Sequence, residues 1–278
     1  MRLMHNIAAF NIFNLQNKIL DKQNTALQRI SSGIKISSSK DDPNALASSE
    51  RMRIQILGLQ MAQKNVQDGT SMLQTADGGL DSITQMLQRI RELTVQASSD
   101  STNAQDKGVM QNEIKQMISG INDVAKNTEF NGVKMLSTEG KLSTLVGANA
   151  NDKLTIPTFD ITSSKLKNTD GTLTLDDIDV TSADGISKAF DIIDSSINTV
   201  TKARSKYGAI ANRFESSFDS LGQIGDIIQG AQSQIGDADI ALEMAEYAKD
   251  NILVEAGTAM MVQANKFPQE VLSILNNR

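Results

Sequence analysis

Residues 59–97 read LQMAQKNVQDGTSMLQTADGGLDSITQMLQRIRELTVQA, and the fold turns on this stretch. Leu59, Val66, Leu73, Leu80 and Leu87 recur every seven residues, and Ala62, Gly69, Ala76, Ile83, Ile90 and Ala97 form a second column three places on. A 3.5-residue apolar period belongs to a helix that supercoils with another. Upstream, Asp42 suits an N-cap and Pro43 the first helical position, where a missing N–H costs nothing. A helix from Pro43 to Ala97 would run roughly 80 Å at about 1.5 Å per residue. Such a rod needs a partner. The small residues Ala62, Gly69 and Ala76 invite close approach, whereas each of Gly58, Gly69, Gly78 and Gly79 costs up to ~1 kcal/mol of helix propensity.

The partner is written later in the chain. Ile186, Ile193, Val200, Tyr207, Phe214, Leu221 and Ile228 repeat at seven, with Phe190, Ile197, Ala211 and Phe218 four residues after members of that series; Arg204 and Gly225 interrupt it. A shorter amphipathic stretch, Met110, Ile114, Met117, Ile121 and Val124, predicts a third helix after the polar break 98–105. Between the long helices, Asn131-Gly132, Glu139-Gly140, Asp170-Gly171 and Asp184-Gly185 are turn signals. They bracket β-rich runs at Leu154-Thr155-Ile156 and Thr172-Leu173-Thr174-Leu175. The fold class expected is mainly α: a long antiparallel helical bundle plus a terminal coiled coil, with a small β-hairpin patch. The Gly147–Asn151 segment reads as a polar loop, because no phosphate-binding glycine motif stands there.

Composition narrows the chemistry. With no Cys, the 278-residue chain has no disulfides, thiolate metal sites or cysteine nucleophile, and its one His, His5, allows no Ser-His-Asp triad away from the N-terminus and no HExxH site. Aromatics are 4% of residues and Trp is absent, so the interior must be built mainly from Ala, Leu, Ile, Val and Met. A net charge of -6 argues against a nonspecific nucleic-acid binder. No apolar run reaches the ~20 residues that span a bilayer, and the first twenty residues are interrupted by Asn6, Asn11, Asn14, Gln16 and Asn17. The expectations are therefore no enzyme, no catalytic or metal site, no cofactor, no nucleic acid and no membrane insertion. Asp41-Asp42 reads as a helix cap rather than a catalytic carboxylate pair, and Met260-Met261 as core filler.

The two ends carry opposite charge. Arg2, Lys18, Lys22, Arg29, Lys35 and Lys40 face only Asp21, while Asp237, Asp239, Glu243, Glu246, Asp250, Glu255 and Glu270 outnumber Lys249, Lys266 and Arg278. Both ends are amphipathic. Leu20, Leu27, Ile30 and Ile34 mark one stripe; Ala238, Ala245, Ile252 and Ala259, with Ala241, Ala248 and Ala256, mark the other. These stripes predict a second coiled coil formed on assembly, marginal in isolation. The domain organisation expected is 1–36 with 237–278 as a terminal coiled coil, 37–43 as a polar spoke, 44–136 with 186–236 as the bundle, and 137–185 as its short β-hairpin and turn region.

Over residues 1–137 and 186–278 the chain resembles bacterial flagellin, in a short form without large outer domains. The likeness is carried by His5-Asn6-Ile7-Ala8-Ala9, Arg29-Ile30-Ser31-Ser32-Gly33-Ile34, Leu87-Gln88-Arg89-Ile90-Arg91-Glu92-Leu93 and Glu129-Phe130-Asn131-Gly132. At the other end it is carried by Asn212-Arg213-Phe214, Asp237-Ala238-Asp239, Gln263-Ala264-Asn265 and Pro268-Gln269-Glu270-Val271-Leu272. The resemblance implies a secreted structural subunit that polymerises into the extracellular flagellar filament for swimming. Implied partners are further copies in the filament, the flagellar export apparatus and export chaperone, filament cap and hook-junction proteins, and the flagellin-sensing Toll-like receptor. It implies receptor recognition at Arg89, Leu93 and Glu113, and filament-core packing by Leu20, Leu27, Ile30, Ile34, Ile252, Leu272 and Leu275. A hook–filament junction protein, or another secreted coiled-coil assembly protein, is the alternative; a zinc-protease insert is excluded because its motif needs two His.

Overall fold

A computed structural model describes residues 6–276, with side chains as far as Glu270, so His5 and the side chains of Leu272 and Leu275 lie outside the described residues. The helices are α1 (Ile7–Ser32), α2 (Pro43–Ala97), α3 (Ala104–Asn127), α4 (Ala183–Gly236) and α5 (Ile240–Asn276). Two short antiparallel ladders lie between α3 and α4: β1 (Glu129–Phe130) with β2 (Val133–Lys134), and β3 (Ser137–Leu145) with β4 (Lys153–Asp160). Two compact units result, residues 55–226 and residues 1–54 with 227–278, and the division falls within α2 and α4.

The first unit is built on the predicted heptad. Leu59, Ala62, Val66, Gly69, Leu73, Ala76, Leu80, Ile83, Leu87, Ile90 and Ala97 are all buried along α2. On α4, Ile186, Ile193, Val200, Tyr207, Phe214 and Leu221 are buried as expected. Pairing is antiparallel: Gly69 lies against Phe214, Asp77 bonds Arg204 and Arg91 bonds Asp194, so numbers rise on one helix as they fall on the other. A Cβ on Gly69 would sit 2.9 Å from Phe214 Cζ, which explains why this interior position forgoes a side chain. Fully burying Leu80, Ile83, Leu87 and Ile90 yields roughly 1.5–3 kcal/mol each, more than the ~1 kcal/mol lost at each helical glycine.

The second column of α4 differs from expectation by one residue. Ala189, Ser196 and Ala203 are buried, whereas Phe190 and Ile197 are only partly covered and Phe218 is exposed. A column three places after the first completes the 3-4 repeat, and small side chains fit where the two helices run close together. Arg204, which interrupts the expected column, stands beside the seam with Nε 2.9 Å from Asp77 Oδ1 and Nη1 3.0 Å from Asp81 Oδ1.

Helix α3 returns along α2 and buries Met110, Ile114, Ile118 and Ile121, with Arg89 bonded to Glu113 across the pair. The β1–β2 turn is Asn131-Gly132, at φ 49° and 78°. Two consecutive residues in the left-handed region make the tight hairpin that Asn-Gly favours. Two of the other turn readings and one strand reading need correction. Glu139-Gly140 lies within β3, at its bulge opposite Thr158. Asp184-Gly185 opens α4, where Ser182 Oγ accepts the Gly185 N–H at 3.2 Å. Thr172–Leu175 is not a strand: Asn168 Oδ1 accepts from the N–H of Thr172 and Leu173, folding the chain into a loop that ends in a 3₁₀ turn at Leu175–Asp177.

The loop before α4 is held by side chains that imitate a strand edge. Buried Gln111 donates Nε2 to Ile178 O at 2.7 Å and accepts the Val180 N–H at 2.9 Å. Three helical turns on, Asn122 grips Ser163 in the same two-way fashion, at 2.8 and 2.9 Å. Hydrogen bonding also holds two carboxyls of this segment below the usual carboxylate range. Asp177 accepts from the N–H and then the hydroxyl of Thr174; Asp179 accepts from the hydroxyl and then the N–H of Thr181.

Candidate assembly surface

In the second unit, α2 is launched as the sequence predicts, with Asp42 Oδ1 accepting the N–H groups of Asn44 and Ala45, each at 3.0 Å. The preceding Asp41 accepts from the N–H groups of Ser38 and Ser37, which hold its carboxyl below the ordinary value. Helix α1 starts at Asn6, whose side chain accepts the Ala9 N–H, and ends where the Gly33 N–H returns to Arg29 O.

Helices α1 and α5 lie antiparallel and are tied at three levels. Asn6 Nδ2 donates to Ala264 O at 2.8 Å, Gln23 Nε2 to Asn251 Oδ1 at 3.3 Å, and Arg29 Nη1 to Glu243 Oε1 at 3.1 Å. Beyond Arg29 the two segments form an isolated bridge, with the Lys35 N–H on Gly236 O at 2.7 Å and the Ala238 N–H on Gly33 O at 2.9 Å.

The seam between these helices is mixed in character. On α1 the residues withdrawn from solvent are Ala9, Ile12, Gln16, Ile19, Gln23, Ala26 and Ile30; on α5 they are Glu243, Tyr247, Asp250, Val254, Gly257, Met261 and Ala264. Both sets follow a 3-4 repeat, yet they include two Gln and two buried acids. Glu243 is 6% exposed, and its Oε2 has no hydrogen-bond partner among the described residues. Desolvation offsets much of what the Arg29 pair contributes, so polar contacts here fix register more than they add stability.

Large apolar residues face the other way. Phe10 (63% exposed), Phe13, Leu20 (37%) and Leu27 line the outside of α1, with Ile34 exposed just beyond its end, and Leu242, Ile252 (65%), Leu253, Met260, Val262 and Phe267 line that of α5. The stripes read from the sequence are therefore not the contact between α1 and α5. Leu20, Leu27 and Ile252 point away from it, Ile34 lies at the bridge beyond α1, and only Ile30 of the described set sits in the seam. Ala245, Ala248 and Ala259 are exposed too, and Met260 is not core filler within the chain. The reason is physical: periodicity detects the strongest apolar stripe, and here that stripe is the uncovered one.

The proposed receptor residues lie in the first unit. Arg89 Nη2 is 2.9 Å from Glu113 Oε1 and its Nη1 3.2 Å from Glu92 Oε2, bonds that raise the guanidinium pKa further. Leu93, the third of them, is 2% exposed and packs into the core on α2. The Arg204 cluster with Asp77 and Asp81 escaped sequence reading; acids four apart on α2, facing an Arg that breaks the α4 repeat, were its signal. Among the described residues no group of His, Cys, Asp or Glu could hold a metal ion, and no helix is long and apolar enough to cross a membrane.

Paired long helices that hide polar groups and expose apolar heptads define a subunit completed by association with others. Family models agree. The bacterial flagellin N-terminal helical region matches residues 3–141, and the C-terminal helical region matches residues 190–275. Flagellin of Bacillus subtilis is 39% identical, with 99% of this chain and all of that protein covered; flagellin of Halalkalibacterium halodurans is 37% identical at the same coverage. A putative flagellar hook-associated protein from Vibrio parahaemolyticus shares the fold at TM-score 0.62 and 15% identity, over 71% of this chain and all of that one. This chain belongs to the bacterial flagellin family. It is a structural subunit of the extracellular flagellar filament, not an enzyme.

Proposed function

We propose that the uncovered outer faces of α1 and α5 are the surfaces by which copies pack into the filament core, with Leu20, Leu27, Ile34 and Ile252 among the packing residues and Leu272 and Leu275 extending the set. One observation supports this reading: the terminal pair keeps glutamines and acids in its own seam while Phe10, Phe13, Leu20 and Ile252 meet solvent. At ~25 cal/mol per Å² of apolar surface, covering such faces is the main force available for polymerisation. Changing Leu20, Leu27 and Ile252 together to Ser tests it. Expected is a monomer of unchanged helicity that forms no filaments by electron microscopy; normal filaments would refute it.

Secretion through the flagellar export apparatus, an escorting export chaperone, and filament cap and hook-junction proteins as partners at the ends of the polymer belong to the same reading. Its support is the family membership together with helices whose apolar faces need cover before assembly. Recognition by the flagellin-sensing Toll-like receptor is proposed at Arg89, Leu93 and Glu113, of which Arg89 and Glu113 form an exposed pair beside Glu92. Arg89→Glu is expected to abolish signalling in receptor-bearing cells while the bundle melts normally; undiminished signalling would overturn this part.

A further inference from the structure

We infer that α1 carries a second coiled-coil seam, and that its occupant is the alanine face of α5 from another copy of this chain. The inference rests on the filament reading above and adds which surface meets which.

The exposed α1 residues Phe10, Phe13, Asn17, Leu20, Asn24 and Leu27 are spaced 3-4-3-4-3, a full heptad register. This register is distinct from the one that already holds α5. The two registers differ by one residue, so at ~100° per residue the seams are roughly 100° apart around the helix, and α5 of the same chain cannot fill both.

On α5, the exposed Ala241, Ala245, Ala248, Ile252, Ala259 and Val262 also keep 3-4 spacing, on the side away from α1. The two surfaces differ in relief. Phe and Leu make tall knobs on α1, and four alanines make a shallow face on α5. Tall against shallow lets helix axes approach closely, whereas tall against tall overfills the interface. Polar positions match as well: Glu255 falls at the place in the α5 repeat between Ile252 and Ala259, and can accept from the amide of Asn17 or Asn24. A polar residue in a coiled-coil seam sets register at a cost in stability. Because neither face complements itself, the contact is heterologous, and each copy offers one face forward and the other back.

The absence of Cys makes the test clean. Copies carrying Leu20→Cys are co-polymerised with copies carrying Ala241→Cys, Ala248→Cys or Ala259→Cys, then oxidised and run on non-reducing gels. The off-stripe control is Leu253→Cys. At least one alanine position is expected to give about tenfold more dimer than Leu253→Cys, and only in the polymer, since a disulfide demands close Cα atoms. Dimers from Leu20→Cys copies alone, or equal yield with Leu253→Cys, would overturn the assignment. Unmodified chain imaged in parallel separates the two readings: polymer without stripe cross-links sinks only the seam, and no polymer sinks the filament reading with it. As a second measure, Ala248→Leu should slow filament elongation about tenfold with monomer helicity intact, because a knob then stands where the face must be shallow; unchanged elongation would count against the seam.

Discussion

The α2–α4 pair and the α1–α5 pair share a design, two antiparallel helices with a 3.5-residue repeat, and treat their apolar residues in opposite ways. In the first, Leu73, Leu80, Leu87, Val200 and Phe214 fill the seam, while ion pairs such as Arg204 with Asp77 stand at its margin. In the second, Gln23, Glu243 and Asp250 occupy the seam, and Phe10, Phe13 and Met260 lie outside. The first pair covers its large apolar residues within its own chain; the second leaves Phe10, Phe13 and Met260 uncovered. Burial within one chain and burial within a polymer are competing uses of the same residues.

The contrast breaks most directly through two leucines. Leu80→Ala should cost the isolated subunit about 2–5 kcal/mol in urea unfolding, because it opens a cavity in a fully buried seam. Leu20→Ala should stay within about 0.5 kcal/mol by the same measurement, yet weaken polymerisation. Equal effects on the monomer would erase the distinction. A smaller change sharpens it: Gln16→Leu places an apolar residue in the α1–α5 seam and should stabilise the pair by about 1 kcal/mol, read as slower amide exchange along α1.

Acid should act on the first unit at a defined place. Asp177 and Asp179 have depressed pKa values in the folded state, so their contribution is present above the ordinary carboxylate pKa of about 3.9 and is lost as pH falls through the depressed values. Amides around Thr174 and Thr181 are expected to exchange faster relative to α2 in that window, and Asp177→Asn should remove the pH dependence at Thr174. The smallest effect expected is at Tyr207, a fully buried ring 5.3 Å from that of Phe159; the Tyr207 hydroxyl has no hydrogen-bond partner among the described residues. Burial alone pushes its pKa far up. Tyr207→Phe should leave stability unchanged or raise it by up to about 1 kcal/mol, since no bond is lost.

Much of this fold is legible in the residues because the bundle obeys the rule that sequence reading applies, that apolar periodicity marks the buried face. The α2 columns, the Asp42 cap and the Asn131-Gly132 turn follow from it. The α4 column was misplaced by one residue because Phe190 and Ile197 outweigh Ala189 and Ser196 on any hydrophobicity count, although the close helix contact prefers the small pair. The α1–α5 seam was misread because its strongest stripe is reserved for other molecules, a fact that no single chain's pattern distinguishes from an inward face. Leu93 is buried although it lies outside both α2 columns, so the heptad gave no sign of its burial.

The hydrogen bond between Asn6 and Asn265 joins positions 259 apart in the chain. Closing so long a span is entropically dear, and contacts of this kind form after local ones. The first helix therefore gains its intramolecular partner only once the last helix is in reach. By the same rule the two termini acquire their paired form together, after the more local contacts of the bundle.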